Sequence, residues 1–372
     1  MRQPSEKILV RGVNWLGDAV MTTQALQRIR EAFPDAQITL LSPAKLAALF
    51  EHHPAVDSVM AVPATDSILQ VAGKIRAERF DRGLVLPNSF RSALELALGG
   101  VRKRIGYAGN GRSPLLHQKV ERPSVEAMRK RTVAQIQQLR AGKNQKRQSY
   151  PLEAHHLHQY LNLAKAFGAS NELCAPTLRV LDTEITATQR KLNVSGRGGP
   201  VFALNPGAEY GPAKRWPAES FIETAVQVQN QTQCRWLVVG GPNDRELTTK
   251  IVAGINRRIN ATSVPAKNLA GETSLRELMA VLASAQLLLT NDTGPMHVAA
   301  ALGTPVVVPF GSTSFELTGP GLPGDPRHQF LKGQAACAPC FLRECPVDFL
   351  CMNSISVASA VKAVLHLVSP AR

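Results

Sequence analysis

Short apolar runs alternate with polar turns and with stretches of helical spacing along the whole chain. The first run covers residues 7–10, and after a loop the apolar residues of 19–33 recur at three- and four-residue spacing. Further apolar runs follow at 38–41 and 59–62. Short apolar runs bounded by Gly and Pro are typical of buried parallel strands, and the longer spacing is typical of amphipathic helices. The pattern predicts a doubly wound α/β domain that opens as β-α-β.

The same alternation restarts after the Gly-rich segment at 195–200, with strand-like runs at 201–204 and 236–239. A chain of 372 residues also exceeds the usual size of one core. We therefore predict an α/β fold of two doubly wound, Rossmann-like domains that face each other across a cleft. The predicted division is an N-terminal domain at 1–180, a linker region at 181–199, a C-terminal domain at 200–350 and a C-terminal helix in 351–372.

Residues 287–311 predict a strand, a polar turn, a short helix that ends at Gly303, and a second strand. Asp292 or Thr293 can cap the helix, and Pro295 fits its first turn, where a missing N–H costs nothing. Open α/β sheets bind ligands at such turns, and helix N-termini attract anions. The turn is thus a candidate site for the phosphate or ribose of a nucleotide. The candidate residues are Asp292, Thr293, Gly294, Pro295 and His297, although His297 equally fits a histidine packed inside the helix.

A second Gly- and Pro-rich loop follows the predicted strand at 201–204 and carries Lys214. An ammonium group at a strand end can reach a diphosphate. Similar loops near 241 and 272 would line the same edge of the sheet, which predicts a nucleotide pocket in the C-terminal domain.

In the first half, Asp18 follows the first predicted strand. It either caps the first helix or takes a proton from a substrate hydroxyl. Ser89, Arg91 and Arg104 lie in segments that we expect on the same strand-end rim, where arginine suits phosphate or carboxylate. Each of these charges fits a plain surface residue equally well.

The charge is unevenly distributed. Lys and Arg number 43 against 28 Asp and Glu, a net charge of +15, and +12 of it falls in residues 1–180. This asymmetry indicates an anionic partner, namely nucleic acid, an anionic membrane surface or a phosphorylated substrate, unless the surface is merely solvated. Within the basic segment 126–150, residues 141–149 fit a flexible loop. Because no apolar run approaches 18 residues and no signal peptide is evident, we expect a cytoplasmic protein.

Four of the six cysteines crowd into fifteen residues. Their spacing lacks the usual paired Cys-x2-Cys pattern of zinc sites, so both a zinc site and a reduced, packed cluster remain open. The four are Cys337, Cys340, Cys345 and Cys351.

Three motifs in order resemble the ADP-heptose:lipopolysaccharide heptosyltransferases. They are NWLGD at 14–18, NPGAEYGPAKRWP at 205–217 and NDTGPMH at 291–297, and CAPC at 337–340 with RECP at 343–346 resembles the heptosyltransferase II branch. The resemblance, over about residues 7–366, implies a GT-B fold and inverting transfer of L-glycero-D-manno-heptose from ADP-heptose to the lipopolysaccharide inner core. For that branch the acceptor is the first heptose on Kdo2-lipid A.

The resemblance also implies roles for individual residues. Asp18 would be the base, with Asn14 as a neighbouring substrate contact. Lys214 and the helix beginning near Thr293 would hold the departing ADP. No Asp-x-Asp is present, so no catalytic metal and no cofactor besides the donor is expected. We further expect a monomer that works at the anionic inner leaflet and does not bind nucleic acid.

Three alternatives remain. One is a related sugar transferase with a different acceptor. Another is an NAD-dependent dehydrogenase, which the missing Gly-x-Gly-x-x-Gly disfavours. The third is a nucleic-acid-binding protein, which a charge confined to one half and the lack of any binding motif disfavour.

Overall fold

The computed structural model describes residues 5–122, 130–141, 149–194 and 199–368. The chain divides by its internal packing into two compact units. One unit holds Met1–Val125 with His155–Arg179, and the other holds Glu126–Ala154 with Val180–Arg372. The predicted range 1–180 differs from this division at 126–154, which groups with the C-terminal unit. Within the described residues, no helix is long and apolar enough to cross a membrane.

The first unit is built on a parallel sheet of six strands in the order β3-β2-β1-β4-β5-β6. This order is that of a dinucleotide-binding Rossmann sheet. The strands are β1 (Lys7–Arg11), β2 (Gln37–Pro43), β3 (Ser58–Val62), β4 (Arg82–Val85), β5 (Lys103–Tyr107) and β6 (Gln118–Val120). The helices are α1 (Leu16–Met21), α2 (Thr23–Ala32), α3 (Ala44–Ala47), α4 (Ile68–Glu78), α5 (Phe90–Leu98) and α7 (His156–Phe167).

The second unit repeats this plan. Its six parallel strands run in the order β12-β11-β10-β7-β8-β9, the same order read from the other edge. The strands are β7 (Val201–Asn205), β8 (Arg235–Val238), β9 (Lys267–Asn268), β10 (Leu287–Thr290), β11 (Val306–Phe310) and β12 (His328–Lys332). The helices are α6 (Val133–Ala141), α8 (Asp182–Lys191), α9 (Ala218–Thr232), α10 (Arg245–Asn256), α11 (Leu275–Ser284), α12 (Gly294–Ala301), α13 (Phe315–Thr318), α14 (Leu350–Asn353) and α15 (Val357–Val368).

The apolar runs form the strands because both faces of each sheet are covered. All four residues of β10 and all five of β11 are buried. The predicted α/β class with two Rossmann-like sheets is confirmed.

Some local predictions differ from the structure. The helix expected over 19–33 is two helices, α1 and α2, which meet at Thr22. The region 181–199 is a linker only in part, since residues 182–191 form α8, as their sequence also indicates, and Glu184 of α8 pairs with Arg276 of α11. Part of the basic segment 126–150 forms α6, in which Ile136 is buried. The loop predicted at 141–149 lies almost wholly outside the described residues.

Candidate functional site

The strand order reverses once in each sheet, between β1 and β4 and between β7 and β10. Open α/β sheets bind ligands at this switch point, beyond the carboxyl ends of the strands. In the second sheet Asn205 is directly beside Thr290, and its Nδ2 donates to the Thr290 Oγ1 over 3.2 Å. The chain therefore brings the loop after β7 and the turn after β10 together at one edge.

Lys214 and Asp292 meet at this edge. The Lys214 Nζ donates to the Asp292 Oδ2 over 2.6 Å, and the Thr313 hydroxyl donates to the same oxygen over 2.6 Å. Only 14% of the lysine side chain and 5% of the aspartate side chain are exposed. The pair is held in low dielectric, so the aspartate fixes the position of the ammonium group.

Asn291 anchors the lysine-bearing loop. Its Oδ1 accepts from the Trp216 backbone N–H over 3.0 Å, and its Nδ2 donates to the Pro206 carbonyl over 2.7 Å. One buried amide thus satisfies both ends of the loop at 206–216. The role of Asn291 as an anchor is not evident from the sequence, since its partners are 75 and 85 residues away.

Tyr210 lies beside the lysine. The Lys214 Nζ is 5.1 Å from the centroid of the Tyr210 ring, and the Arg343 Cζ is 5.2 Å from the same centroid. Both cations are within the range of cation–π attraction.

The helix α12 begins at Gly294, two residues after Asp292. Thr293 is its N-cap residue, but the threonine side chain makes no capping hydrogen bond, and Pro295 occupies the first turn. The N-terminal end of α12 therefore points its partial positive charge toward the edge that holds Lys214. His297 is buried within the same helix. Gly303 closes this helix with a φ of +87°, which favours glycine.

Asp18 is the third residue of α1, not its cap. The N-cap residue is Trp15, so the prediction that Asp18 caps the helix is wrong. The Tyr160 hydroxyl of α7 donates to the Asp18 Oδ1 over 3.2 Å. Burial, and then the nearby Asp18 charge, raise the pKa of Tyr160 well above its ordinary value, so the phenol remains a donor. Tyr160 was missed from the sequence because it lies 142 residues away.

Asn14, Ser89 and Arg91 follow β1 and β4, the two strands at the switch point of the first sheet. Asn14 is exposed. Ser89 caps α5 by accepting from the Ser92 backbone N–H over 3.2 Å. The Arg91 guanidinium donates to Glu95 over 2.9 Å and to the Asp66 carbonyl over 2.7 Å.

Arg104 does not join them. It is the second residue of β5, at the amino end of the strand, whereas the rim is formed by carboxyl ends. Its guanidinium donates to the carbonyls of Leu115 and Val101 over 2.6 and 2.7 Å. The prediction that Arg104 lies on the rim was therefore wrong. The sequence pattern did not show that the strand β5 runs from Lys103 to Tyr107, which puts Arg104 near its start and not after its end.

Arg112, absent from the predicted set, organises the same rim. Its side chain is fully buried, and among the described residues no carboxylate pairs with it. The guanidinium instead donates to the Tyr107 and Pro87 carbonyls and to the Asn88 side chain, at 2.5, 3.1 and 2.6 Å. These bonds tie the end of β5 to the loop after β4.

The four clustered cysteines are packed. Cys337 and Cys340 share an apolar cluster with Ile136 of α6, and Cys351 belongs to the main core of the second unit. Burial raises the pKa of the Cys337 and Cys340 thiols, and that of Cys351 to about 12. Among the described residues, no group of three or more His, Cys, Asp or Glu side chains is placed to hold a metal ion. Cys337, Cys340 and Cys351 are thus buried, free thiols, and Cys345 is half-buried.

Comparison with known proteins gives a consistent result. Residues 68–350 match the family model described as glycosyltransferase family 9 (heptosyltransferase). Lipopolysaccharide heptosyltransferase 2 of Escherichia coli K12 is 31% identical over 327 residues, which cover 84% of this chain and 85% of that protein. The Salmonella typhimurium protein of the same name is 31% identical over 84% of this chain and 85% of its own.

Comparison with solved structures gives the same result. The solved structure of the E. coli ADP-heptose lipopolysaccharide heptosyltransferase II superposes with a TM-score of 0.75 at 27% identity. The superposition covers 97% of this chain and 98% of that one.

Proposed function

Because the chain belongs to glycosyltransferase family 9, the heptosyltransferases, we propose that it moves L-glycero-D-manno-heptose from ADP-heptose to the lipopolysaccharide inner core. The proposed acceptor is the first core heptose on Kdo2-lipid A, as the sequence resemblance to the heptosyltransferase II branch implies. The observation that carries this proposal is the Lys214–Asp292 pair beside the start of α12, at the switch point of a Rossmann sheet. Such an edge supplies what a departing nucleoside diphosphate needs, namely positive charge and backbone N–H groups.

The donor is assigned to the second unit. Lys214 and the N-terminal end of α12 stabilise the negative charge that develops on ADP as the anomeric C–O bond breaks. Asp292 orients the ammonium group, while Thr293, Gly294 and Pro295 form the turn against which the diphosphate lies. His297 is assigned to a phosphate or ribose oxygen. A lysine–aspartate pair carries no net charge, so donor binding relies on local geometry rather than on the total charge of the loop.

The acceptor is assigned to the first unit. In a single inverting displacement, the acceptor hydroxyl attacks the anomeric carbon on the face opposite ADP. The Asp18 carboxylate takes the hydroxyl proton as the new C–O bond forms. The carboxylate also stabilises the oxocarbenium-like transition state. Tyr160 holds the carboxylate in place, and Asn14, Ser89 and Arg91 line the neighbouring strand ends.

The net charge of +15 suits an acceptor rich in phosphate and carboxylate at an anionic membrane surface. We accordingly place the protein on the cytoplasmic side, bound peripherally and as a monomer to the anionic inner leaflet. No cofactor, metal or nucleic acid takes part in the proposed reaction.

The proposal is tested by turnover. Purified protein is incubated with ADP-heptose and a panel of truncated lipopolysaccharide acceptors, and the anomeric configuration of the product is read by NMR. We expect transfer to acceptors that carry exactly one core heptose, with inversion. Transfer to Kdo2-lipid A without heptose would indicate a different acceptor, and an absence of transfer from ADP-heptose to any acceptor would contradict the proposal.

A further inference from the structure

The cysteine-bearing segment 337–345 is docked on the lysine-bearing loop by two hydrogen bonds and by a close approach at Gly211. The Ala213 N–H donates to the Arg343 carbonyl over 3.0 Å, and the Tyr210 hydroxyl donates to the Phe341 carbonyl over 3.0 Å. At Gly211, an added Cβ would lie 2.5 Å from the Arg343 carbonyl oxygen, closer than a real Cβ atom approaches. The two loops therefore touch where only glycine fits.

This docking places a second cation at the candidate donor site. Arg343 is exposed, and its guanidinium carbon lies 5.2 Å from the centroid of the ring that also carries Lys214 at 5.1 Å. Among the described residues, no carboxylate forms an ion pair with Arg343, whereas Lys214 pairs with Asp292 over 2.6 Å. Arg343 is thus a cation of this edge whose charge is not cancelled.

A second cation at this position would offset charge on the leaving diphosphate. The leaving diphosphate gains negative charge as its bond to the sugar breaks, and Asp292 already offsets the charge of Lys214. A guanidinium presents a planar fork of N–H donors that matches phosphate oxygens in pairs. The ring of Tyr210 restricts the side chain, so less entropy is lost when a ligand binds.

We propose that Arg343 binds the diphosphate of the donor, and that the packed cysteine segment serves to hold Arg343 at this site. The inference rests on the proposed function, because it takes a nucleoside diphosphate sugar as the ligand of the second unit. The inference adds Arg343 to the proposed donor site, whose other residues lie in the loops that follow β7 and β10.

Calorimetric titration of ADP and AMP separates the diphosphate from the nucleoside. We expect Arg343→Ala to weaken ADP binding roughly 10-fold or more, the range of a lost charge-assisted hydrogen bond, and AMP binding clearly less. Arg343→Met, which retains the aliphatic packing on Tyr210, should behave in the same way and keep the melting temperature of the parent. Arg343→Lys should recover part of the affinity, since it restores the charge but not the fork.

Arg327→Ala is the matched control. Arg327 is also an exposed arginine of the second unit, but it pairs with Asp325 and stands before β12. Its loss should leave ADP binding unchanged.

Two results would overturn the assignment. One is an ADP affinity of Arg343→Met within about twofold of the parent, a free-energy change below about 0.5 kcal/mol. The other is an equal loss for AMP and ADP, which would place Arg343 away from the second phosphate. Failure of the proposed function gives a different result, because the unmodified protein would then not bind ADP.

Discussion

The Nζ of Lys214 lies 2.6 Å from the Oδ2 of Asp292, so that the loop after β7 and the turn after β10 are joined by one charged hydrogen bond. Both side chains are largely buried. Removal of one partner of such a pair leaves an uncompensated buried charge and typically costs about 3–5 kcal/mol. The two residues must therefore be tested together as well as singly.

Lys214→Ala should raise the KM for ADP-heptose and lower kcat, because the departing diphosphate loses its ammonium partner. Part of the change will be a loss of stability, since Asp292 is left unpaired. The double variant Lys214→Met with Asp292→Asn removes both charges and should regain thermal stability without regaining donor binding. If either variant shows unaltered donor kinetics, Lys214 does not hold the donor.

Tyr160→Phe should lower kcat about 3- to 10-fold, the range of the net contribution of one ordinary hydrogen bond, without a change in the KM for ADP-heptose. The expected cause is looser positioning of the Asp18 carboxylate. Tyr107→Phe is the control, because the Tyr107 hydroxyl donates to the Gln159 carbonyl over 2.7 Å and not to Asp18. Steady-state kinetics of both variants check this, and equal effects would mean that Tyr160 acts only through packing.

Arg112→Met should lower the free energy of unfolding by about 2–3 kcal/mol, because the buried Tyr107 carbonyl and the partly buried Pro87 and Asn88 oxygens lose their donor. The acceptors lie at the ends of β4 and β5, so the rim that carries Ser89 and Arg91 should loosen. Chemical denaturation measures the change. Arg102→Met, at an exposed ion pair with Asp81, should cost less than about 1 kcal/mol, and a similar cost for both would contradict the role of Arg112.

Stability should fall as the pH drops from about 6.5 to about 4. Burial lowers the pKa of His53 and of His328 from 6.5 to about 4, so both are neutral in the folded state. Above pH 6.5 both histidines are neutral in the folded and in the unfolded chain, so they do not change the free energy of unfolding. Below it the unfolded chain takes up protons first, and the loss approaches about 3 kcal/mol per histidine near pH 4.

Unfolding in urea between pH 7 and pH 4.5 measures this dependence. In His53→Phe the slope over this window should be about half that of the parent. The carboxylates with lowered pKa, such as Glu277 and Asp325, begin to contribute only near the bottom of the window. A slope that is the same in the parent and in the variant would contradict the assignment for His53.

The sequence predicted those parts of the fold that depend on local periodicity. The strands and the polar loops after them are marked by apolar runs and by Gly and Pro, so the Lys214 loop and the Asp292 turn could be located. What remained hidden depends on contacts between distant segments. Tyr160 reaches Asp18, and Thr313 reaches Asp292, only through the packing of helices and strands.

Arg104 and α6 are two further features that local sequence patterns did not predict. Arg104 belongs to a cationic run, but its place at the amino end of β5 depends on where the strand begins. The apolar residues of α6 do not gather on one face of the helix, and its Ile136 is buried because the cysteine segment, about 200 residues further on, covers it.

The central claim is that Asp18 is the base, and the most direct test separates chemistry from donor binding. Asp18→Ala should lower kcat by roughly two to four orders of magnitude, the contribution typical of general base catalysis. The affinity for ADP, measured by calorimetry, should remain nearly that of the parent because the proposed donor site belongs to the other unit. Turnover close to that of the parent would contradict the account.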